Sequence, residues 1–174
     1  KPKNKIYLDK FSKRLCGKFR KGHFNGVINV INRFLEIIKP RYIYLGFKDF
    51  QQLILIDRHI KKNKIKTKVI GCKTIRERNG VACSTRNLSL NKKQLRTASK
   101  IYKYLSNLKK IINKDQNFFI STSVRKDLIL MGINKIDYIE IINSNIFQEI
   151  TKTKKKFKLF IAYYIKNTRL IDNI

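Results

Sequence analysis

Apolar residues recur at helical spacing at Val27, Val30, Ile31, Phe34, Leu35 and Ile38, which predicts a helix over residues 25–38 with that set facing inward. Asn25 is placed to cap its start. Lys39-Pro40 ends it, because the residue before a proline is driven out of the helical region. Arg41-Tyr42-Ile43-Tyr44-Leu45-Gly46 is β-branched and aromatic and stops at glycine, the mark of a short buried strand. A second helix is predicted over 49–61, with Leu53, Ile56 and Ile60 inward, and a second strand over 66–71. Helix, strand, helix, strand is the alternation of a doubly wound α/β fold with a parallel sheet.

The pattern changes after Gly71. Asn79-Gly80 is a turn dipeptide between two short extended pieces. A long helix is predicted over 91–113 and another over 121–131, stopping at Gly132. Strand-like runs follow at 138–142, 158–165 and 168–171, and the lysine-rich stretch 152–156 between the first two reads as a solvated loop. Two helices followed by antiparallel strands make a small α+β domain. The expected organisation is therefore residues 1–88 and residues 89–174, with no internal repeat.

A chain of 174 residues that is 43% hydrophobic can bury a core. The formal charge of +30 points at first to nucleic acid. The positive residues, however, are 30 Lys against 11 Arg, spread along the whole length without a recognition motif. Ile (28) and Asn (16) are inflated too, while Ala (3), Gly (7) and Pro (2) are scarce, which is the signature of AT-rich codons. Specific nucleic-acid binding is not expected; weak, salt-sensitive attraction to polyanions is. Cys16, Cys72 and Cys83 are unclustered and only His23 and His59 are present, so neither a disulfide framework nor a metal site is expected, and the compartment is a reducing one. No membrane span and no signal peptide are expected. The chain opens at a lysine, and an upstream part is expected.

Ligands of open α/β sheets sit beyond the carboxyl ends of the strands, where residues 46–52 are predicted to lie. Gly46 allows close approach to the backbone, the following helix offers N–H groups and partial positive charge, and Lys48 adds a full charge suited to phosphate. Two readings stay open here. D-x-x-Q at Asp49 and Gln52 also matches a capping box that merely starts a helix, and Lys48 also reads as a solvated side chain. Ser84-Thr85-Arg86 offers two hydroxyls and a guanidinium that bind triphosphate oxygens; the alternative is a polar linker with an exposed arginine. Cys83 resembles a small apolar residue more than a nucleophile, and His23 reads as a packing or capping histidine. Together the two loops have what is needed to hold a nucleotide from two sides.

Several blocks follow a family pattern. Arg20-Lys21-Gly22-His23-Phe24-Asn25-Gly26-Val27 is similar to R-P-G-H-F-D-G-V. Gly46-Phe47-Lys48-Asp49-Phe50-Gln51-Gln52-Leu53 is similar to G-E-K-D-[FY]-Q-Q-L. Val69-Ile70-Gly71-Cys72-Lys73-Thr74-Ile75-Arg76-Glu77 is similar to V-G-V-P-T-V-R-E with its preceding apolar residue, and Asn79-Gly80-Val81-Ala82-Cys83-Ser84-Thr85-Arg86-Asn87 to D-G-L-A-[ML]-S-S-R-N. Thr168-Arg169-Leu170-Ile171-Asp172-Asn173 is similar to T-R-L-I-D-N. By these blocks nearly the whole chain resembles the pantothenate synthetases, ligases that join pantoate to β-alanine at the expense of ATP.

The resemblance implies that residues 1–88 are the C-terminal half of a Rossmann-like nucleotide-binding domain, followed by the small α+β domain. It implies one ATP-binding segment at Gly46, Phe47, Lys48 and Asp49, a backbone contact of Ile75 on the adenine side, and a second ATP-binding segment at Cys83, Ser84, Thr85 and Arg86. Gln52 would hydrogen-bond pantoate, and Val30 and Ile31 would line its pocket. Lys48, Ser84 and Arg86 would be catalytic through charge stabilisation. The substrates would be pantoate, β-alanine and ATP with Mg2+, with no tightly held cofactor and no metal site, in a cytoplasmic enzyme that is a homodimer when complete and touches no membrane. The family's H-x-G-H segment, with its catalytic histidine, and the first glutamine of the pantoate site would precede Lys1, so this chain alone is expected to have little or no ligase activity. Phe47 departs from a carboxylate, Lys21 and Lys73 from prolines, Cys83 from a longer apolar residue and Thr85 from serine. A degenerate non-catalytic relative and a basic nucleic-acid-binding domain remain as alternatives.

Overall fold

The structure, a computed structural model, describes residues 4–114, 120–143 and 157–174. It forms two units, Lys1–Lys73 and Thr74–Ile174. The first contains α1 (Cys16–Phe19), α2 (His23–Ile38), β1 (Tyr42–Gly46), α3 (Phe50–Lys62) and β2 (Lys68–Cys72). β1 and β2 pair in parallel from Tyr42 opposite Lys68 to Gly46 opposite Cys72, with α3 as the connection that parallel strands require. α3 buries Leu53, Ile56 and Ile60 as its spacing predicts, together with Leu55. The alternation of helix and strand thus forms as read from the sequence.

α2 turns a different face inward than its apolar spacing predicts. Phe24, Ile28, Asn32 and Leu35 are buried, whereas Val30, Phe34, Ile37 and Ile38 are more than half exposed. The inward face is rotated by roughly a quarter turn at 100° per residue. The cause is a polar anchor. His59 Nε2 donates to Asn32 Oδ1 at 3.1 Å, and Asn32 Nδ2 reaches Glu36 Oε1 at 3.1 Å, so an asparagine occupies a core position with its hydrogen bonds made. The fully buried His59 accepts from Tyr7 N–H at 3.2 Å on Nδ1, which fixes it as the neutral tautomer with its proton on Nε2. The cap differs as well: Gly22, at φ 73°, precedes the first turn, and Asn25 lies exposed inside the helix.

The second unit contains a hairpin and a 3-10 turn (Thr85–Ser89), then α4 (Lys92–Lys114), α5 (Thr122–Leu130), β3 (Lys135–Asn143), β4 (Phe157–Ile165) and β5 (Thr168–Asn173). The strands form an antiparallel sheet in the order β3-β4-β5. Ala98, Ile101, Leu105, Leu108 and Ile112 of α4 share one core with Val124 and Leu128 of α5 and with Ile139, Leu159 and Ile161 of the sheet. Asn91 and Gln94 start α4 by reciprocal bonds, Gln94 N–H to Asn91 Oδ1 at 2.9 Å and Asn91 N–H to Gln94 Oε1 at 2.8 Å. The lysine-rich stretch 152–156 lies outside the described residues. Residues 74–88, placed with the first domain by the sequence pattern, group with the second unit, because Val81 joins this core and Arg76 bonds to Asp172 of β5.

Candidate functional site

In the first unit, Gly46 ends β1 with ordinary extended torsions, so conformation does not demand glycine there. What glycine leaves is room: a Cβ at this position would meet no atom within 4 Å. Phe47, Lys48 and Asp49 form a single 3-10 turn that runs straight into α3. The carboxyl ends of β1 and β2 lie side by side, because Leu45 is opposite Gly71 and Gly46 opposite Cys72. The Phe47 ring, standing where the family pattern has a carboxylate, packs against Gly71 so closely that any Cβ there would overlap Cε1 and Cζ. Lys48 Nζ lies 3.7 Å from Asp49 Oδ2 and its side chain is only 20% exposed, so it is drawn against the turn. Asp49 precedes the first turn of α3 but makes no side-chain capping bond, so the capping-box alternative is not realised there.

Gln52 is half-buried in the first turn of α3. Its neighbour Gln51, which no sequence signal separated from it, is buried and holds the chain before α1. Gln51 Oε1 accepts from Cys16 N–H at 3.1 Å, and Nε2 donates to Phe11 O at 2.9 Å and Arg14 O at 2.8 Å. Val30 is exposed and Ile31 half-buried on α2. His23 accepts from Arg20 Nη1 at 2.8 Å and packs on Phe24, the structural role read from its sequence context.

In the second unit, one hairpin gathers Ile75 with Cys83–Arg86. Cys83 N–H donates to Ile75 O at 3.0 Å, Arg76 and Ala82 form an antiparallel bridge, and Glu77 N–H donates to Val81 O at 2.9 Å. Gly80 N–H donates to Glu77 O at 2.8 Å, closing the Asn79-Gly80 turn, with Gly80 at φ 90°. Ser84 then caps the Thr85–Ser89 turn, its Oγ accepting from Arg86 N–H at 3.3 Å. Cys83, Thr85 and Arg86 are exposed and Ser84 half-buried, while the Ile75 side chain is 76% exposed. Arg86 Nη1 donates to Arg169 O of β5 at 3.3 Å. A guanidinium and two hydroxyls on one short turn form a donor set suited to anionic oxygens.

Beneath this turn lie two residues that spacing did not single out, Glu77 and Asn87. Asn87 Nδ2 donates to Glu77 Oε1 at 2.7 Å and to Ala82 O at 3.1 Å. Their only signal in the sequence is membership of the family blocks.

A family model described as pantoate-beta-alanine ligase matches residues 2–174. The chain belongs to this family. The pantothenate synthetase of Sulfurihydrogenibium sp. (strain YO3AOP1) is 40% identical over 173 residues, covering 97% of this chain and 61% of that protein. That of Clostridium botulinum (strain ATCC 19397 / Type A) is 37% identical over 179 residues, covering 98% and 63%. The crystal structure of pantothenate synthetase from Thermus thermophilus matches with a TM-score of 0.86 at 25% identity, over 98% of this chain and 62% of that one. The pantoate-beta-alanine ligase of Francisella tularensis, complexed with beta-gamma ATP and beta-alanine, matches with a TM-score of 0.74 at 33% identity, over 97% and 56%. The chain thus spans 61% to 63% of the length of these curated relatives.

In this member of the pantoate-β-alanine ligase family, no group of three His, Cys, Asp or Glu among the described residues could hold a metal ion. No helix among them is long and apolar enough to cross a membrane.

Proposed function

We propose that this chain carries nucleotide- and pantoate-contacting parts of an ATP-dependent ligase that condenses pantoate with β-alanine. The observation that carries the reading is the family match across residues 2–174 together with the hairpin that gathers Ile75 and Cys83–Arg86. In the first step a carboxylate oxygen of pantoate attacks the α-phosphorus of Mg-ATP. The bond to the bridging oxygen breaks, pyrophosphate leaves, and pantoyl adenylate forms. In the second step the β-alanine amine attacks the acyl carbon, loses a proton, and AMP leaves. No side chain becomes covalently attached. Gly46, Phe47, Lys48 and Asp49 form one ATP-contacting segment, and Ile75, Cys83, Ser84, Thr85 and Arg86 form another. Lys48, Ser84 and Arg86 stabilise developing charge, and Gln52 orients pantoate beside Val30 and Ile31. Mg2+ would be carried by the ATP phosphates and would offset their charge, without a dedicated set of protein ligands. The reading extends to a cytoplasmic homodimer.

Turnover, on this reading, also needs polypeptide beyond these residues. What supports this is the state of the β1-β2 sheet. Parallel sheets occur with both faces covered, yet Tyr44 is 67% and Ile70 37% exposed, next in chain order to the exposed stripe of α2.

Titration of the 15N-labelled chain with Mg-ATP tests the nucleotide assignment. The amides of residues 46–49 and 83–86 are expected to shift; both sets staying fixed at saturating ATP would overturn it. Pantoate-dependent exchange of pyrophosphate into ATP tests the second statement. No exchange above background is expected from this chain, and exchange at an ordinary enzymatic rate would contradict it.

A further inference from the structure

Cys83, Thr85 and Arg86 are exposed and Ser84 is half-buried, yet the segment stands on a buried foot. Asn87 is 7% exposed and closes the turn twice. Its backbone N–H donates to Ser84 O at 3.0 Å, and its side chain ties the turn to the hairpin through Glu77 Oε1 and Ala82 O. Both side-chain partners are acceptors, so the amide can be oriented in one way only, with its NH2 toward them. Asn87 Oδ1 has no hydrogen-bond partner among the described residues, which leaves the two donated bonds to hold the side chain. The stronger is the one to the Glu77 carboxylate, an ionised acceptor at 2.7 Å.

Glu77 is itself held. Its other oxygen accepts from Asn79 Nδ2 at 3.4 Å, and Asn79 O accepts from Ser99 Oγ of α4 at 2.7 Å. The bonds run from a helix of the core, through Asn79 and Glu77, to Asn87 and the turn bearing Ser84, Thr85 and Arg86. We infer that Glu77, acting through Asn87, is a positioning residue for the nucleotide-contacting segment Cys83–Arg86. This rests on the ligase reading above. Glu77 need touch no substrate. Its carboxylate keeps the turn closed before ligand arrives, so the ordering of three side chains is not deducted from binding.

The test compares Glu77→Ala, Glu77→Gln and Tyr104→Phe in the 174-residue chain. Tyr104 Oη donates to Asp127 Oδ2 at 2.7 Å between α4 and α5, so its loss serves as a control for simple destabilisation of the same unit. Hydrogen exchange without ligand is read first. Glu77→Ala is expected to speed exchange at Arg86 and Asn87 by about tenfold or more, with the β3-β5 amides unchanged. Glu77→Gln keeps an oxygen acceptor for Asn87 and is expected to restore most of the protection. Tyr104→Phe should lower the melting temperature without moving the turn amides. Weaker Mg-ATP binding, by about tenfold, should follow Glu77→Ala alone. Unchanged exchange at Arg86 and Asn87 in Glu77→Ala would overturn the inference, as would a Tyr104→Phe variant that loosens the turn equally. If the wild-type chain shows no Mg-ATP shifts, the ligase reading fails, whereas the exchange data still decide whether Glu77 orders the turn.

Discussion

Arg76 and Asp172, 96 positions apart, meet as a two-bonded fork, Nη1 to Oδ2 at 2.7 Å and Nη2 to Oδ1 at 2.9 Å. The same guanidinium donates to Gly80 O at 3.0 Å and lies over the Tyr102 ring, 4.3 Å from its centroid. One side chain therefore ties the hairpin to β5 and to α4. Lysine can reproduce neither the planar fork nor the stacking. Arg76→Lys is expected to lower the stability of the second unit by about 2 kcal/mol, less than a fully buried pair would cost because both side chains keep some solvent contact. Denaturant unfolding followed by amides of β3-β5 measures it; a midpoint equal to wild type would show the fork to be ornamental.

His59 makes the first unit sensitive to acid. Burial lowers its pKa from the ordinary value of 6.5. The unfolded chain then takes up a proton that the folded one resists, so the folded state loses stability as pH falls below 6.5 and has the full contribution above it. Protonation would also remove the Nδ1 acceptor for Tyr7 N–H. Stability of the first unit should decline as pH falls through about 6.5, and His59→Gln should flatten that slope. An identical slope in the variant would place the pH dependence elsewhere.

Phe47 and Gly71 form a matched pair. A methyl group at Gly71 overlaps the Phe47 ring, so Gly71→Ala is expected to cost about 1–3 kcal/mol by overpacking. Removing the ring should relieve it: in a Phe47→Ala background the same substitution should cost less than about 0.5 kcal/mol. Thermal unfolding of the four proteins closes the cycle, and additive losses would refute the pairing.

Gly80 combines two constraints. Its φ of 90° disfavours any side chain, and a Cβ there would overlap the Tyr102 ring. Gly80→Ala should destabilise the second unit by about 2 kcal/mol or more, the joint effect of torsion and clash. Placing Ala there without loss of melting temperature would mean the turn reforms in another shape.

Adjacent glutamines should behave differently. Gln51→Ala removes the three bonds that Gln51 makes to the Cys16 N–H and to the Phe11 and Arg14 carbonyls around Leu15, which sits at φ 44°. A loss of about 3 kcal/mol is expected. Gln52→Ala should stay within about 0.5 kcal/mol of wild type in stability, and on the proposed ligase reading it should weaken pantoate binding. Chemical denaturation of both variants, with pantoate titrated into the second, separates the roles.

Local patterning determined much of this protein. The elements from 42 to 62, the Asn79-Gly80 turn, the helix after Asn91 and the three closing strands follow from period, β-branching and turn residues, which act over a few positions. The family blocks likewise placed Ile75 and Cys83–Arg86 in one short stretch, and the hairpin brings them together. Tertiary structure alone decided which face of α2 turns inward, because Asn32 becomes a core residue only when His59, 27 positions away, supplies its partner. It alone also separated Gln51 from Gln52, moved residues 74–88 to the second unit through Asp172, and put Glu77 under the turn. A buried polar side chain is stable only when its hydrogen bonds are met, and those partners come from distant segments that no local spacing records.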